Sequence, residues 1–237
     1  MARIENLNLS QRVTNELGQA IIGGHYTSES GLPTEAKLCE EYGISRTAIR
    51  EAVKMLAAKG LISSRPRQGI LVEPAANWNL YDTSVLKWML ASSPSLLILK
   101  EFLQMRLAVE PEAAALAAKF GSDDAIDRIE LALDVMQQAV GDPDVSLHDA
   151  DLAFHTSILY ASNNRFFYQL RDFISTALNV TIQHTTPAKG NDQSVVDDHA
   201  KIYQAIRNRQ SDQVKSMMTD LIEEAIVVIE AKIKQQA

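Results

Sequence analysis

The segment 32–72 constrains the fold of this chain most strongly, because it places helix starts, a helix stop and a hairpin at short, fixed spacings. Thr34 and Ser45 belong to the residue types that cap helix N-termini, and Gly43 belongs to the type that ends helices. Apolar residues follow each cap at three- and four-residue spacing: Leu38, Cys39, Tyr42, Ile49, Val53, Leu56 and Ala57. The pattern predicts two short helices joined by a tight turn, which is the helix-turn-helix motif.

A β-hairpin is predicted directly after the second helix. Apolar and β-branched residues at 61–64 and 70–72 flank the turn sequence RPRQG, in which Gly69 can supply a positive φ or a close backbone approach. A supporting helix is predicted before residue 32, and its buried face carries Val13, Leu17, Ile21 and Ile22. Residues 1–73 are therefore predicted to form a winged helix-turn-helix domain of three helices and a hairpin wing.

The charge of this segment differs from that of the whole chain. The chain has 23 basic and 30 acidic residues and a net charge of -7, but residues 43–72 contain six basic residues and one acidic residue, a local charge of +5. Such a patch is typical of a surface that binds DNA, although a solvated basic helix face is the alternative. The predicted contacts to double-stranded DNA are made by Thr34, Glu35, Ser45, Arg46, Thr47, Arg50, Arg65, Arg67, Gln68 and Gly69.

Residues 74–95 contain both tryptophans and a short apolar helix pattern that begins near Asp82 or Thr83. A flexible tether would be rich in Gly and Ser and would lack aromatic anchors. We therefore expect a packed linker, in which Trp88 docks the two domains together, rather than a disordered spacer.

The remaining residues, 96–237, are predicted to be all-helical. Helical periodicity covers six segments, separated by turn compositions rich in Gly, Asp, Asn and Pro: 97–120, 125–140, 146–161, 165–183, 195–208 and 212–235. A bundle of this size can bury its own core and enclose a ligand cavity. The predicted fold class is mainly α, a winged helix followed by a helical bundle.

A candidate metal site lies in this bundle. Asp151 and His155 are four residues apart, so both side chains project from one face of a helix, and His199 could join them from a later helix. Mixed Asp and His ligands suit a divalent ion such as zinc, nickel or manganese. The alternative is a helical Asp–His pair and a surface histidine.

Arg106 is a second candidate for the functional site, because an arginine in an apolar helix is costly to bury unless an anion pairs with it. A small carboxylate effector could do so, and so could a salt bridge to Glu110 or Glu112. Asn179 lies on an otherwise apolar helical pattern and could line the same cavity. The predicted effector-binding residues are Arg106, Asp151, His155, Asn179 and His199.

Three segments, LPTE, SRTAIREAVKMLAAKGLI and RPRQGILV, together closely resemble the winged-helix domain of GntR-type bacterial transcription regulators. The segments 106–118, 151–164 and 198–206 resemble the FCD effector domain that defines the FadR branch of that family. The wing and the segment WNLYDTSVLKWML look most like members that respond to sugar acids. The resemblance covers nearly the whole chain and implies a ligand-responsive regulator.

The chain departs from the family pattern at two positions. Members commonly carry a DNA-contacting basic residue where this chain has Ala36, and metal-binding members add a histidine near Leu221, whereas this chain has no histidine after His199. The first departure affects the expected operator preference, and the second affects the expected metal affinity.

The sequence thus predicts a transcription regulator, specifically a repressor, that acts as a homodimer on a palindromic DNA operator. No signal peptide or apolar run of membrane-spanning length occurs, so a cytoplasmic protein without membrane contact is expected. The single cysteine, Cys39, is expected in the core. Two alternatives stay open: a metal-dependent enzyme that uses the Asp/His cluster, and a regulator whose second domain only dimerises.

Overall fold

The computed structural model describes residues 8–65, 69–91, 95–185 and 192–236. It divides into two compact units, Met1–Ser93 and Pro94–Ala237. Among the described residues, no helix combines the length and the apolar character that crossing a membrane requires.

Among its described residues, the N-terminal unit contains four α-helices and a hairpin. Its elements are α1 (Leu9–Ile22), α2 (Glu35–Tyr42), α3 (Arg46–Ala58), β1 (Ile62–Arg65), β2 (Gly69–Val72), a short 3-10 helix (Ala75–Asn77) and α4 (Thr83–Ala91). The strands pair antiparallel, from Ile62 opposite Val72 to Arg65 opposite Gly69. This arrangement confirms the predicted winged helix-turn-helix.

The predicted boundaries of the two helices of the helix-turn-helix are confirmed. The Thr34 and Ser45 hydroxyls accept hydrogen bonds from the amides of Lys37 and Ala48, each at 3.3 Å, and so cap α2 and α3. Gly43 ends α2 in the left-handed region, with a φ of 63°. The core beneath these helices includes Val13, Leu17, Ile21, Leu38, Ile49 and Leu56, and Cys39 packs partly buried against it.

Helix α4 packs inside the N-terminal unit. Asp82 begins it, since its Oδ1 accepts hydrogen bonds from the amides of Ser84 and Val85 at 2.9 and 3.2 Å. The indole N–H of Trp88 donates to Asn15 on α1, and its ring covers Gly18, where a Cβ would collide with it. Trp88 therefore packs within the N-terminal unit, where Gly18 offers a flat surface to its ring, and its docking of the two domains stays a prediction.

The C-terminal unit is a bundle of seven helices among the described residues. They are α5 (Leu96–Phe120), α6 (Asp123–Gly141), α7 (Leu147–Ala161), α8 (Arg165–Gln169), α9 (Arg171–Thr185), α10 (Asp192–Arg207) and α11 (Ser211–Gln236). Helix α5 packs along α11, and α7 packs against α5, α6 and α9. The helix predicted over 165–183 is divided at Leu170, and the mainly α fold class is confirmed.

Candidate functional site

Five ionisable side chains are buried together in the C-terminal unit. Arg106 and Glu110 lie on α5, Asp151 and His155 on α7, and His199 on α10, and none of them is more than 6% exposed. Among the described residues, these five are all the buried Asp, Glu, Arg, Lys and His side chains. Burying a charged group is costly unless a group of opposite charge lies next to it. The convergence of these five side chains therefore indicates a functional site rather than ordinary core packing.

Three of these residues offer ligand atoms to one point. An oxygen of Asp151 and a nitrogen of each imidazole all lie within 4.8 Å of one another. Asp151 Oδ1 is 3.3 Å from His155 Nε2 and 2.9 Å from His199 Nε2. The structure thus brings His199 to the Asp151–His155 pair, as the metal-site hypothesis requires.

The other nitrogen of each imidazole is engaged by an acceptor. His155 Nδ1 lies 2.7 Å from Glu110 Oε2, and His199 Nδ1 lies 2.7 Å from the carbonyl oxygen of Val195. Since neither acceptor carries a proton, each Nδ1 is assigned as the donor. Both Nε2 atoms then direct a lone pair towards Asp151 when the rings are neutral.

Two atoms at the centre of the cluster lack hydrogen bonds. Asp151 Oδ1 and His199 Nε2 are buried, and neither has a hydrogen-bond partner among the described residues despite their separation of 2.9 Å. An acceptor facing an acceptor is unfavourable unless a proton or a metal cation neutralises the contact.

The charges of the cluster are strongly coupled. Burial raises the pKa of Glu110, but the charges of Arg106 and His155 outweigh it and lower the pKa to about 2. Burial likewise opposes ionisation of Asp151, yet His199 and His155 hold its pKa well below the usual value. Burial lowers the pKa of His155, but Glu110 and Asp151 together raise it. Both carboxylates therefore remain ionised inside the bundle.

A cavity of about 820 Å³ opens beside the cluster and is lined by Arg106, Asp151, His155 and His199. Its remaining walls come mainly from α9 and α11 and include Leu178, Ile182, Leu221, Ala225 and Val228. Carboxylates of α11 also line it, at Asp220, Glu223 and Glu224. Leu221 therefore lies at the cavity, where metal-binding relatives were expected to place a further histidine.

Arg106 forms one of the two salt bridges that the sequence offered as an interpretation, the one to Glu110. Its Nε and Nη2 donate to the two oxygens of Glu110 at 2.5 and 3.0 Å, whereas Glu112 pairs with Lys215 instead. Arg106 also lines the cavity, and Nη1 has no partner within the described part of the chain. Arg106 is thus held by a carboxylate of the protein and lines the cavity, and its contact with an effector stays a prediction.

The structure does not bring Asn179 to this cavity. Its side chain is exposed and contacts His148 on α7, because α9 turns that face outwards. Asn179 is therefore removed from the candidate set. Glu110 is the residue that sequence reasoning missed; its position four residues after Arg106 was the available signal, but it was read only as a salt-bridge partner.

In the N-terminal unit, Arg46, Thr47 and Arg50 are exposed on one side of α3. Arg50 Nε donates to Glu35 Oε2 on α2 at 3.0 Å. Gly69 adopts a φ of 79°, the positive value anticipated for the wing. Arg67 and Gln68 lie outside the described residues, as does the side chain of Arg65.

Both halves of the chain match known families. The model of the bacterial regulatory proteins of the gntR family matches residues 9–72, and the FCD domain model matches residues 101–224. The galactonate operon transcriptional repressor of Escherichia coli (strain K12) is 31% identical over 217 residues, which cover 91% of this chain and 94% of that protein. The Glc operon transcriptional activator of the same organism is 28% identical over 213 residues, 86% of this chain and 82% of its own length.

A solved structure shares the fold. It belongs to Lar, described as controlling the expression of the Listeria monocytogenes agr system, and it superposes with a TM-score of 0.61 at 17% identity, covering 95% of this chain and 98% of that one. The family and the relatives are transcription regulators, which removes the metal-dependent enzyme as an alternative. The chain belongs to the GntR family of bacterial transcription regulators, and it is a DNA-binding regulator with an FCD domain.

Proposed function

We propose that this regulator is of the FadR type and senses a small carboxylate through a divalent metal held by Asp151, His155 and His199. The observation that carries the proposal is the convergence of two imidazole Nε2 atoms and Asp151 Oδ1 at the wall of a cavity. Both Nδ1 atoms are already bound to acceptors, which is the arrangement that orients metal-ligating histidines in proteins.

The donor set suits a borderline divalent cation, namely zinc, nickel or manganese. A cation would neutralise the contact between Asp151 Oδ1 and His199 Nε2, the two buried atoms that lack hydrogen bonds. When bound, the metal would offer its open coordination positions to oxygens of the effector.

The effector is proposed to be a sugar acid. Arg106 presents a cationic donor beside the metal ligands, which suits a carboxylate, and the acidic groups of α11 can accept hydrogen bonds from hydroxyl groups. The cavity volume of about 820 Å³ lies within the range of small-molecule sites. The name of the galactonate operon repressor makes galactonate the first compound to test.

The DNA-binding unit is proposed to read a palindromic operator as part of a homodimer in the cytoplasm, where it represses transcription. Twofold symmetry lets the two DNA-binding units of a dimer contact two half-sites, which increases both the affinity and the selectivity for the operator. The effector would change operator affinity to the extent that it binds the free and DNA-bound forms of the regulator differently.

The experiment compares wild-type protein with His155→Ala and with the matched control His148→Ala, a half-buried histidine of α7 that contacts Asn179 and does not line the cavity. Metal content is measured after purification and after loading with Zn²⁺, Ni²⁺ or Mn²⁺, and DNA binding is measured with and without galactonate. We expect His155→Ala to lose the metal and the galactonate response but to keep its DNA affinity, whereas His148→Ala behaves as wild type.

Full metal content and an unchanged response in His155→Ala would overturn the metal site. If no carboxylate alters either the DNA affinity or the melting temperature of the wild-type protein, the C-terminal unit is a dimerisation domain without a sensing role.

A further inference from the structure

We infer that Glu35 is a positioning residue of the DNA-reading surface, which orients the guanidinium of Arg50 and thereby raises discrimination between DNA sequences. This inference rests on the proposed role of α3 as the recognition helix. It concerns a residue whose negative charge would otherwise weaken binding to phosphate.

The ion pair joins the two helices of the helix-turn-helix. Glu35 is the first residue of α2 and Arg50 lies on the exposed side of α3, and Glu35 Oε2 accepts from Arg50 Nε at 3.0 Å. The other ion pairs found on these helices are local: Lys37 with Glu41 at 3.8 Å, and Lys54 with Glu51 at 2.9 Å. Glu35 alone among the described acidic residues of α2 and α3 thus reaches across to the other helix.

Stability does not explain this contact. The side chains of Arg50 and Glu35 remain 63% and 37% exposed, and ion pairs with that exposure contribute little to folding free energy because water and salt screen them. A carboxylate beside the basic face of α3 also repels the phosphates that this face would approach. The contact therefore has a cost for DNA binding that needs a compensating role.

Orientation supplies that role. With Nε held by Glu35, the two terminal nitrogens of Arg50 have no other partner among the described residues. Those nitrogens form the end-on fork that binds O6 and N7 of guanine or a phosphate. An unrestrained arginine can direct its two terminal nitrogens to many phosphates, whereas a restrained one favours a base at one position. Glu35 therefore lowers the affinity for DNA of any sequence and raises the selectivity for one sequence.

The test uses a duplex selected by the wild-type protein from a randomised library, together with a shuffled duplex of the same composition. The dissociation constant for each duplex is measured for wild type, Glu35→Ala, Glu35→Gln, Arg50→Ala and the double variant Glu35→Ala/Arg50→Ala. Glu40→Gln is the matched control, because Glu40 is an exposed residue of α2 with the same charge and no ion pair among the described residues.

We expect Glu35→Ala to weaken binding to the selected duplex about tenfold and to leave binding to the shuffled duplex unchanged or tighter. Glu35→Gln should stay within about threefold of wild type for the selected duplex, since its amide oxygen still accepts from Arg50 Nε. Glu40→Gln should change both affinities by the same factor. In the Arg50→Ala background, Glu35→Ala should cause no further loss of discrimination.

Unchanged discrimination in Glu35→Ala would overturn the inference, as would additive effects of the Glu35 and Arg50 substitutions, which would mean that Glu35 contacts DNA by itself. If Arg50→Ala binds the selected duplex as tightly as wild type, the recognition-helix assignment itself fails. The two failures are therefore distinguishable.

Discussion

Glu110 is a buried carboxylate that contacts two residues of the candidate site, Arg106 and His155, without being one of the three proposed metal ligands. It is 1% exposed, accepts both hydrogen bonds of the Arg106 fork and lies 2.7 Å from His155 Nδ1. With the His155 proton assigned to Nδ1, Nε2 keeps its lone pair for the proposed metal, and the negative charge of Glu110 would make the ring a stronger ligand.

We predict that Glu110→Gln lowers metal affinity about tenfold to a hundredfold, because an amide neither carries the charge nor fixes the ring as firmly. Competition with a chromophoric chelator measures the affinity. Glu112→Gln is the control two residues along α5, where the carboxylate pairs with Lys215 at the surface. Equal metal affinity in the two variants would show that Glu110 has no part in the site.

Leu221 supports a prediction in the opposite direction. It lines the cavity on α11, near the position at which metal-binding relatives were expected to add a histidine. Leu221→His should supply a fourth protein ligand, raise metal affinity at least about tenfold and reduce the galactonate response, since one coordination position is then filled. Nickel absorption spectra and DNA release report the two effects separately; unchanged spectra would contradict the prediction.

At the scale of elements, the capping residues at helix ends allowed the most secure predictions from the sequence. Thr34, Ser45 and Asp82 each cap a helix through bonds made within three residues, so their roles follow from local chemistry. The division at Leu170 was missed because apolar periodicity runs through 165–183 without a Gly or Pro, and the break between α8 and α9 depends on how the two helices pack against α7.

Asp82 allows a test of element stability by pH. Burial raises the pKa of Asp82, but Lys59, at 2.7 Å, and the amides of Val85 and Ser84 lower it overall. Because the folded-state pKa lies below the unfolded value of about 3.9, the carboxylate stabilises the unit above that pH and the contribution is lost as the pH falls through the folded-state pKa.

We therefore expect Asp82→Asn to be about 1 kcal/mol less stable than wild type at neutral pH, with the difference shrinking below about pH 4. Tryptophan fluorescence during urea unfolding measures it, since both tryptophans, Trp78 and Trp88, belong to the N-terminal unit. Asp134→Asn, an exposed change on α6, should leave this transition unaltered. A difference that does not shrink as the pH falls below about 4 would contradict the assignment.

At the scale of the whole molecule, the basic segment and the buried ionisable cluster lie in different units. The basic segment 43–72 lies in the N-terminal unit, whereas all the buried ionisable groups found in the described residues lie in the C-terminal unit. A net charge of -7 is therefore compatible with DNA binding, because the phosphate backbone meets the local charge and not the average.

We predict that the protein sediments at twice 26.2 kDa and binds a palindromic duplex with two chains per duplex. Deleting one half-site should weaken binding at least about tenfold, because the second head then loses its contacts. Sedimentation and titration of the two duplexes check this. One chain bound to a half-site with undiminished affinity would refute the homodimer.

The sequence by itself determined the winged helix, the helical bundle and the shared face of Asp151 and His155. Each depends on caps, periodicity or the i, i+4 spacing, which act over a few residues. Tertiary structure alone decided that His199, Arg106 and Glu110 meet that pair, that Asn179 faces outwards and that Trp88 packs on α1. These outcomes depend on the rotation of each helix against its neighbours, which is set by the packing of the whole core and not by any local segment.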